Sequence, residues 1–124
     1  MIKFNSLCRE EPYLNFEEKY QAALNEGQKS IEAINISSYS TTLKEVNSRY
    51  VNLKIIDNNK FIFFTNYDSQ KSIEFNFHDQ IAASFYWPSI NTQIRIKAVI
   101  KKTSNDYNQN YFFDRSEEKN ALAI

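Results

Sequence analysis

The chain has 124 residues, enough for one domain with a working core and little to spare. Fifteen basic side chains balance fifteen acidic ones, which removes the net basic character expected of a protein that binds nucleic acid. A single glycine excludes the glycine-rich phosphate loops of Rossmann and P-loop folds, and a lone cysteine excludes an intrachain disulfide. No apolar run is long enough to span a bilayer, and Met1–Leu7 lacks a signal-peptide apolar stretch. The expected setting is therefore a reducing cytoplasm, without membrane or nucleic-acid partners.

In chain order, residues 1–14 read as an N-terminal arm that carries Cys8 as an incidental thiol. Asn15 is placed to cap a helix, with Glu17 and Glu18 complementing its dipole. Phe16, Tyr20, Ala23 and Leu24 form one apolar stripe, and Gly27 stands where a left-handed cap would stop the helix. Alternation around Ile34 and Ile36 predicts a first strand near Glu32–Ser38. Arg49–Ile56 is rich in β-branched and aromatic residues, Asp57–Lys60 is a turn cluster, and Phe61–Thr65 returns as a strand apolar enough for burial on both faces. Asn66–Ser69 supplies capping residues for a short second helix over about Gln70–Phe77, whose N-terminus beside Lys71 suits a phosphate. Ile81–Trp87 is the next strand, stopped by Pro88. Thr92–Lys102 alternates throughout and is the strongest strand in the sequence. Ser104 is placed to cap a third helix, on which Tyr107, Tyr111 and Arg115 recur every fourth residue and share a face. Residues 116–124 carry no clear pattern. Several strands with inserted helices and no βαβ alternation predict a mainly antiparallel sheet, either α+β or a small barrel, in one domain.

Few residues here suit catalysis by themselves. His78 is the only histidine and reads as a surface cap at a helix end. No Cys/His cluster exists for a zinc site, so an enzyme built on this chain would need a cofactor to carry its reaction. The remaining candidates are phosphate and ring contacts. Arg49 and Lys54, five positions apart, point to opposite faces of an ideal strand. Serving one site requires a bulge or a second subunit, and the plainer reading is two ordinary surface cations. Tyr111 and Arg115, one helical turn apart, either grip a phosphate together or pack a helix on the sheet. Phe85 and Trp87 read as core or interface anchors.

The order of these pieces carries a family resemblance. R-x-V-x-L-K at Arg49–Lys54, a hairpin, F-x-F-F-T-N at Phe61–Asn66 and S-x-K at Ser69–Lys71 resemble the core of the pyridoxamine 5′-phosphate oxidase family. Members are FMN-binding split β-barrels that work as dimers. The likeness continues through Phe85-Tyr86-Trp87-Pro88, Gln93-Ile94-Arg95-Ile96 and Tyr111-Phe112-Phe113-Asp114-Arg115, covering roughly Asn15 to the C-terminus. It implies a mainly β fold over residues 1–124, an antiparallel split β-barrel with short flanking helices. It further implies FMN held by Arg49, Lys54, Phe64, Thr65, Gln70, Lys71 and Gln93, with some contacts from the partner subunit of a homodimer. A phosphorylated B6 vitamer would be held by Lys54, Tyr111, Arg115 and Lys119. The implied reaction is oxidation of pyridoxamine or pyridoxine 5′-phosphate to pyridoxal 5′-phosphate, with O2 as acceptor.

The sequence departs from the family pattern in several places. Phe64 stands where the family usually has tyrosine, Gln70 where it has arginine, and Lys119 where it has a serine that binds substrate phosphate. The family's C-terminal segment, with its tryptophan and Arg-x-His motif, has no counterpart before Ile124. These departures predict impaired oxidase activity. The alternative they favour is a non-catalytic flavin- or pyridoxal-phosphate-binding paralogue of the same fold.

Overall fold

A computed structural model of the chain describes residues 1–64, 78–102, 110–115 and 121–123, with the backbone alone for residues 102, 110–115 and 121–123. The elements are β1 (Lys3–Asn5), α1 (Glu11–Asn25), β2 (Ala33–Ser40), β3 (Glu45–Asp57), β4 (Lys60–Phe64), β5 (Gln80–Trp87), a 3-10 turn (Pro88–Ile90), β6 (Thr92–Lys102), β7 (Asn110–Arg115) and β8 (Ala121–Ala123). The eight described strands belong to one sheet, and among the described residues only the β1–β3 pairing is parallel.

The two longest strands organise this sheet. β3 pairs with β2 through residues 45–52 and with β4 through residues 53–57. β6 likewise pairs with β5 through residues 92–99 and with β7 through residues 98–102. Since β2 also pairs with β5, and β4 with β7, the ladder closes into a ring running β3–β2–β5–β6–β7–β4. The closure is partial, since residues 45–52 of β3 pair with β2 alone among the described strands. The fold is thus mainly β with one described helix, a curled sheet of split-barrel type, as the sequence predicts.

Strand alternation sends one set of side chains inward. Ile34, Ile36, Leu53, Ile56, Phe61, Phe63, Ile81, Phe85, Trp87, Ile94, Ile96 and Ile100 are all buried in one cluster. Helix α1 lays Tyr13, Phe16, Tyr20 and Ala23 against it. The Phe16 ring lies 5.5 Å from Phe61, 5.4 Å from Phe85 and 5.7 Å from Trp87, centroid to centroid. Burying one such ring stabilises the fold by about 1.5–3 kcal/mol. The polar ends of the buried aromatics are satisfied. Trp87 Nε1 donates to the Ile31 carbonyl at 3.0 Å, and the Tyr20 hydroxyl accepts from the Ile2 amide at 2.8 Å.

Three sequence expectations need correction. The helix is capped by Glu10, not Asn15, because Pro12 sits in its first turn, where a fixed φ and a missing N–H cost nothing. Residues 1–14 are more than an arm, since β1 pairs with β3 and Ile2 is buried. Tyr111 and Arg115 lie on strand β7 and not on a helix. A spacing of four is one helical turn and also two strand periods, so the spacing alone could not separate the two. The Gly27 expectation holds: its φ is +73°, its amide bonds to the Leu24 carbonyl, and that of Gln28 to the Ala23 carbonyl, each at 3.0 Å. The second helix expected at Gln70–Phe77 lies outside the described residues, as does the capping position Ser104. Among the described residues no helix is long and apolar enough to cross a membrane.

Candidate functional site

Lys54 is placed by a bulge. Leu53 pairs with Phe63 and Ile55 with Ile62, leaving Lys54 as the extra residue on β3. The inward side chains of β3 shift phase across it, from Leu53 to Ile56, both buried. Arg49 precedes that shift. It pairs with Ile36 on the inward phase and is half-buried, whereas Lys54 is exposed on the outward phase. The bulge therefore comes too late to bring the two cations to one face, and they stay on opposite sides of the strand.

Two of the expected site residues, Lys54 and Phe64, come to one face, with the Tyr111 backbone nearby. Leu53 pairs with Phe63, and Phe63 with Tyr111, so the three positions Lys54, Phe64 and Tyr111 lie within two strand spacings, about 10 Å, but Tyr111 is in register with the inward Phe63 whereas Lys54 and Phe64 hold outward positions. Phe64 leaves its ring 49% exposed, as a ligand platform would require. Thr65, Gln70 and Lys71, which follow Phe64, lie outside the described residues, as does Lys119. Arg115 pairs with Ala98, further along β7. On a strand the Tyr111 and Arg115 α-carbons are about 13 Å apart, twice the helical separation. That spacing no longer supports a shared grip on one phosphate.

Gln93 lies elsewhere. It is exposed at the start of β6, paired with Tyr86, whereas Tyr111 pairs with Lys102 at the end of that strand. About 30 Å of β6 separates the two positions. One chain therefore offers two separate outward groups, Lys54–Phe64 and Gln93, with Tyr111 at an inward position. His78 is half-buried, with its ring edge-on to Tyr39 at 5.5 Å, and the helix end it was expected to cap lies outside the described residues.

Nothing in the sequence singles out the outer face of β2, β3, β5 and β6, although its alternation places the residues there. Val46, Tyr50 and Tyr86 stand on it with exposures of 66, 72 and 64%. A cleft of about 240 Å³ opens there, lined in part by Ser37, Tyr39, Val46, Gln80, Ala82 and Lys97. The Ser37 and Ser48 hydroxyls hydrogen-bond across the β2–β3 pair beside it.

Comparison with known proteins gives the lineage. The chain is 35% identical over 108 residues to the pyridoxine/pyridoxamine 5′-phosphate oxidase of Christiangramia forsetii, 86% of this chain and 50% of that one. The chain is a distant homologue of the pyridoxamine 5′-phosphate oxidase family. It spans about half the length of the curated oxidases it matches. No family model matches it. The fold agrees with solved structures. PhzG from Burkholderia lata 383, in complex with tetrahydrophenazine-1-carboxylic acid, superposes with a TM-score of 0.74 at 20% identity, over 79% of this chain and 48% of that one. A pyridoxamine 5′-phosphate oxidase-related, FMN binding protein from Nostoc punctiforme gives a TM-score of 0.67 at 16% identity, over 81% and 52%.

Proposed function

We propose that this oxidase homologue binds FMN at a boundary between two copies of the chain and acts on a phosphorylated B6 vitamer. The observation that carries the reading is the homology to pyridoxine/pyridoxamine 5′-phosphate oxidases over most of the chain, together with the neighbouring outward positions of Lys54 and Phe64. The residues present fit such a ligand. Lys54 is an exposed cation for a phosphate, Phe64 an exposed ring for a planar partner, and Gln93 an exposed amide for a ring edge. Arg49, Thr65, Gln70 and Lys71 would complete the hold on the cofactor. Lys54 and Lys119, with one of Tyr111 and Arg115, would meet the substrate phosphate. When bound, FMN supplies the two-electron acceptor that O2 regenerates. The separation of Gln93 from Tyr111 favours a homodimer, in which the two groups can come from different copies.

The test is titration of FMN into the purified chain, followed by quenching of flavin fluorescence, with riboflavin as the ligand lacking phosphate. Saturable binding of FMN and much weaker binding of riboflavin is the expected result. Absence of saturable FMN binding would overturn the reading.

A second reading, a non-catalytic flavin or pyridoxal phosphate binder, is favoured by one structural observation. Placing Tyr111 and Arg115 on β7 spreads them too far apart for the joint phosphate grip expected of a helix. Peroxide release with pyridoxine 5′-phosphate under air separates the two. Turnover at about 1 s⁻¹ or faster supports an oxidase, and ligand binding without peroxide supports the binder.

A further inference from the structure

Lys54 holds a position that no other residue of β3 shares. β2 pairs with β3 up to Asn52, and the Leu53 amide then donates to the Glu32 carbonyl at 2.8 Å. β4 pairs with Leu53 and next with Ile55, passing over Lys54. β1 pairs with Ile55, Ile56 and Asp57, and since β4 pairs with the same three residues, the two strands lie on opposite edges of β3. Along residues 45–57, Lys54 alone has no ladder partner on either edge among the described strands.

An extra residue on a bulged strand takes its direction from the pairing on either side of it. Before Lys54 that pairing is secured by the core, because Leu53 is buried and bonded on both edges. After it, one of the two edges is supplied by β1, a strand of three residues. The anchor of β1 is Ile2, which is buried and whose amide donates to the buried Tyr20 hydroxyl at 2.8 Å. The Phe4 ring then meets the Tyr20 ring edge-on at 5.1 Å. The same segment clips the hairpin tip: the Asn58 amide donates to the Asn5 carbonyl at 2.9 Å, and the Cys8 amide to the Asn58 carbonyl at 3.0 Å. Residues 2–8 thus brace β3 from Ile55 to its turn. The Lys54 side chain is exposed and has no ion pair among the described residues, so its direction comes from the backbone.

We propose that Ile2 is a positioning residue for Lys54: by docking β1 it fixes the bulge, and so sets how well Lys54 meets the phosphate of a bound ligand. This rests on the reading of Lys54 as a phosphate contact in the flavin site above, and adds to that site a buried residue of the core. Undocking β1 leaves Ile55–Asp57 paired with β4 alone, so the bulge gains freedom while the β3–β4 hairpin persists. The phosphate of the ligand then loses a fixed cation, and its ring system loses nothing.

Double-mutant cycles on FMN binding to the full chain test the positioning, with riboflavin as the ligand lacking phosphate. Ile2→Asp, which puts a charge at a buried position, should undock β1 and weaken FMN by about tenfold or more, the scale of a lost hydrogen bond to a charged group. Riboflavin affinity should stay unchanged, and Ile2→Val should keep wild-type FMN affinity. Tyr20→Phe removes only the hydroxyl that accepts from the Ile2 amide, should move FMN in the same direction, and carries the test if Ile2→Asp does not fold. In a Lys54→Ala background neither substitution should weaken FMN further, because the cation they position is gone. Amide hydrogen exchange of the ligand-free chain is the second readout. Residues 54–57 should lose protection in Tyr20→Phe while residues 94–98 of β6 keep theirs. Equal losses for FMN and riboflavin, full additivity with Lys54→Ala, or a uniform loss of protection across the sheet each overturn the proposal. A wild-type chain that binds no FMN sinks the flavin site and this inference with it, whereas FMN binding that ignores both Ile2→Asp and Tyr20→Phe sinks the positioning and leaves the site standing.

Discussion

Trp87 shows how much one atom matters inside this barrel. Its ring is buried among Phe16, Tyr20 and Phe85, and its one polar atom donates to the Ile31 carbonyl at 3.0 Å. Trp87→Phe keeps most of the apolar contact and leaves that carbonyl without its donor. The expected cost is about 1–3 kcal/mol, read as a lower denaturation midpoint with unchanged slope. The sequence identifies Trp87 as an anchor by type but cannot show its partner, because Ile31 lies far away in the chain. The opposite facing of Arg49 and Lys54 is legible for a related reason, since parity along one strand is local. The bulge at Lys54 is not, because it exists only relative to β4. In the proposed site Lys54→Ala should weaken FMN by roughly 1.5–3 kcal/mol, the scale of a hydrogen bond to a charged group. Lys29→Ala, an exposed cation in the turn after α1, is the control and should bind FMN as the wild type does. Equal affinity in both variants would remove Lys54 from the site.

Among the elements, α1 has one strong end and one weak end. At its C-terminus Gly27 holds a φ of +73° and an added Cβ would meet nothing within 4 Å. Gly27→Ala should therefore cost only the left-handed backbone strain, about 1–2 kcal/mol, without any steric addition. At its N-terminus Glu10 makes no side-chain capping bond. Glu10→Ser should stabilise the protein by about 0.5–1 kcal/mol, because its hydroxyl can accept an amide of the first turn. Urea unfolding of both variants checks the signs, and a destabilised Glu10→Ser would show that the acidic charge near the helix dipole outweighs the missing bond. The C-terminal end is legible because glycine is otherwise absent from this chain, so Gly27 stands out. The start is misread because Asn15, Glu17 and Glu18 imitate a cap inside a helix that Pro12 has already begun. β7 is misread in a similar way. Tyr111, Phe112 and Phe113 have strand propensity, but the fourfold spacing of Tyr107, Tyr111 and Arg115 fits both periods. Pairing with β4 and β6 decides in favour of the strand.

At the scale of the whole molecule, the ring of strands is what separates the candidate site into parts. Antiparallel order, a single core and the inward alternation follow from local pattern. Closure does not, because it depends on Phe61 finding Phe113 and Ala98 finding Arg115 across long stretches of chain. That closure carries Lys54, Phe64 and Tyr111 to one region and leaves Gln93 three strands away across the outer face, on the pairing path β3–β2–β5–β6. A flavin site that uses Lys54 of one copy and Gln93 of the other has a specific consequence for mixtures. Lys54→Ala alone and Gln93→Ala alone should each bind FMN weakly, since every site in either homodimer has lost one contact. After equimolar mixing and exchange of subunits, half of the dimers are heterodimers under random pairing. In each heterodimer one site carries both substitutions and the other carries neither. About a quarter of all sites should then regain wild-type affinity, as the two-fold symmetry of the pairing requires. Flavin fluorescence would show this as a new tight phase in the mixture, absent from both parents. No tight phase after demonstrated exchange would mean that one copy supplies both contacts, and the boundary between subunits would no longer be the place to look for the flavin.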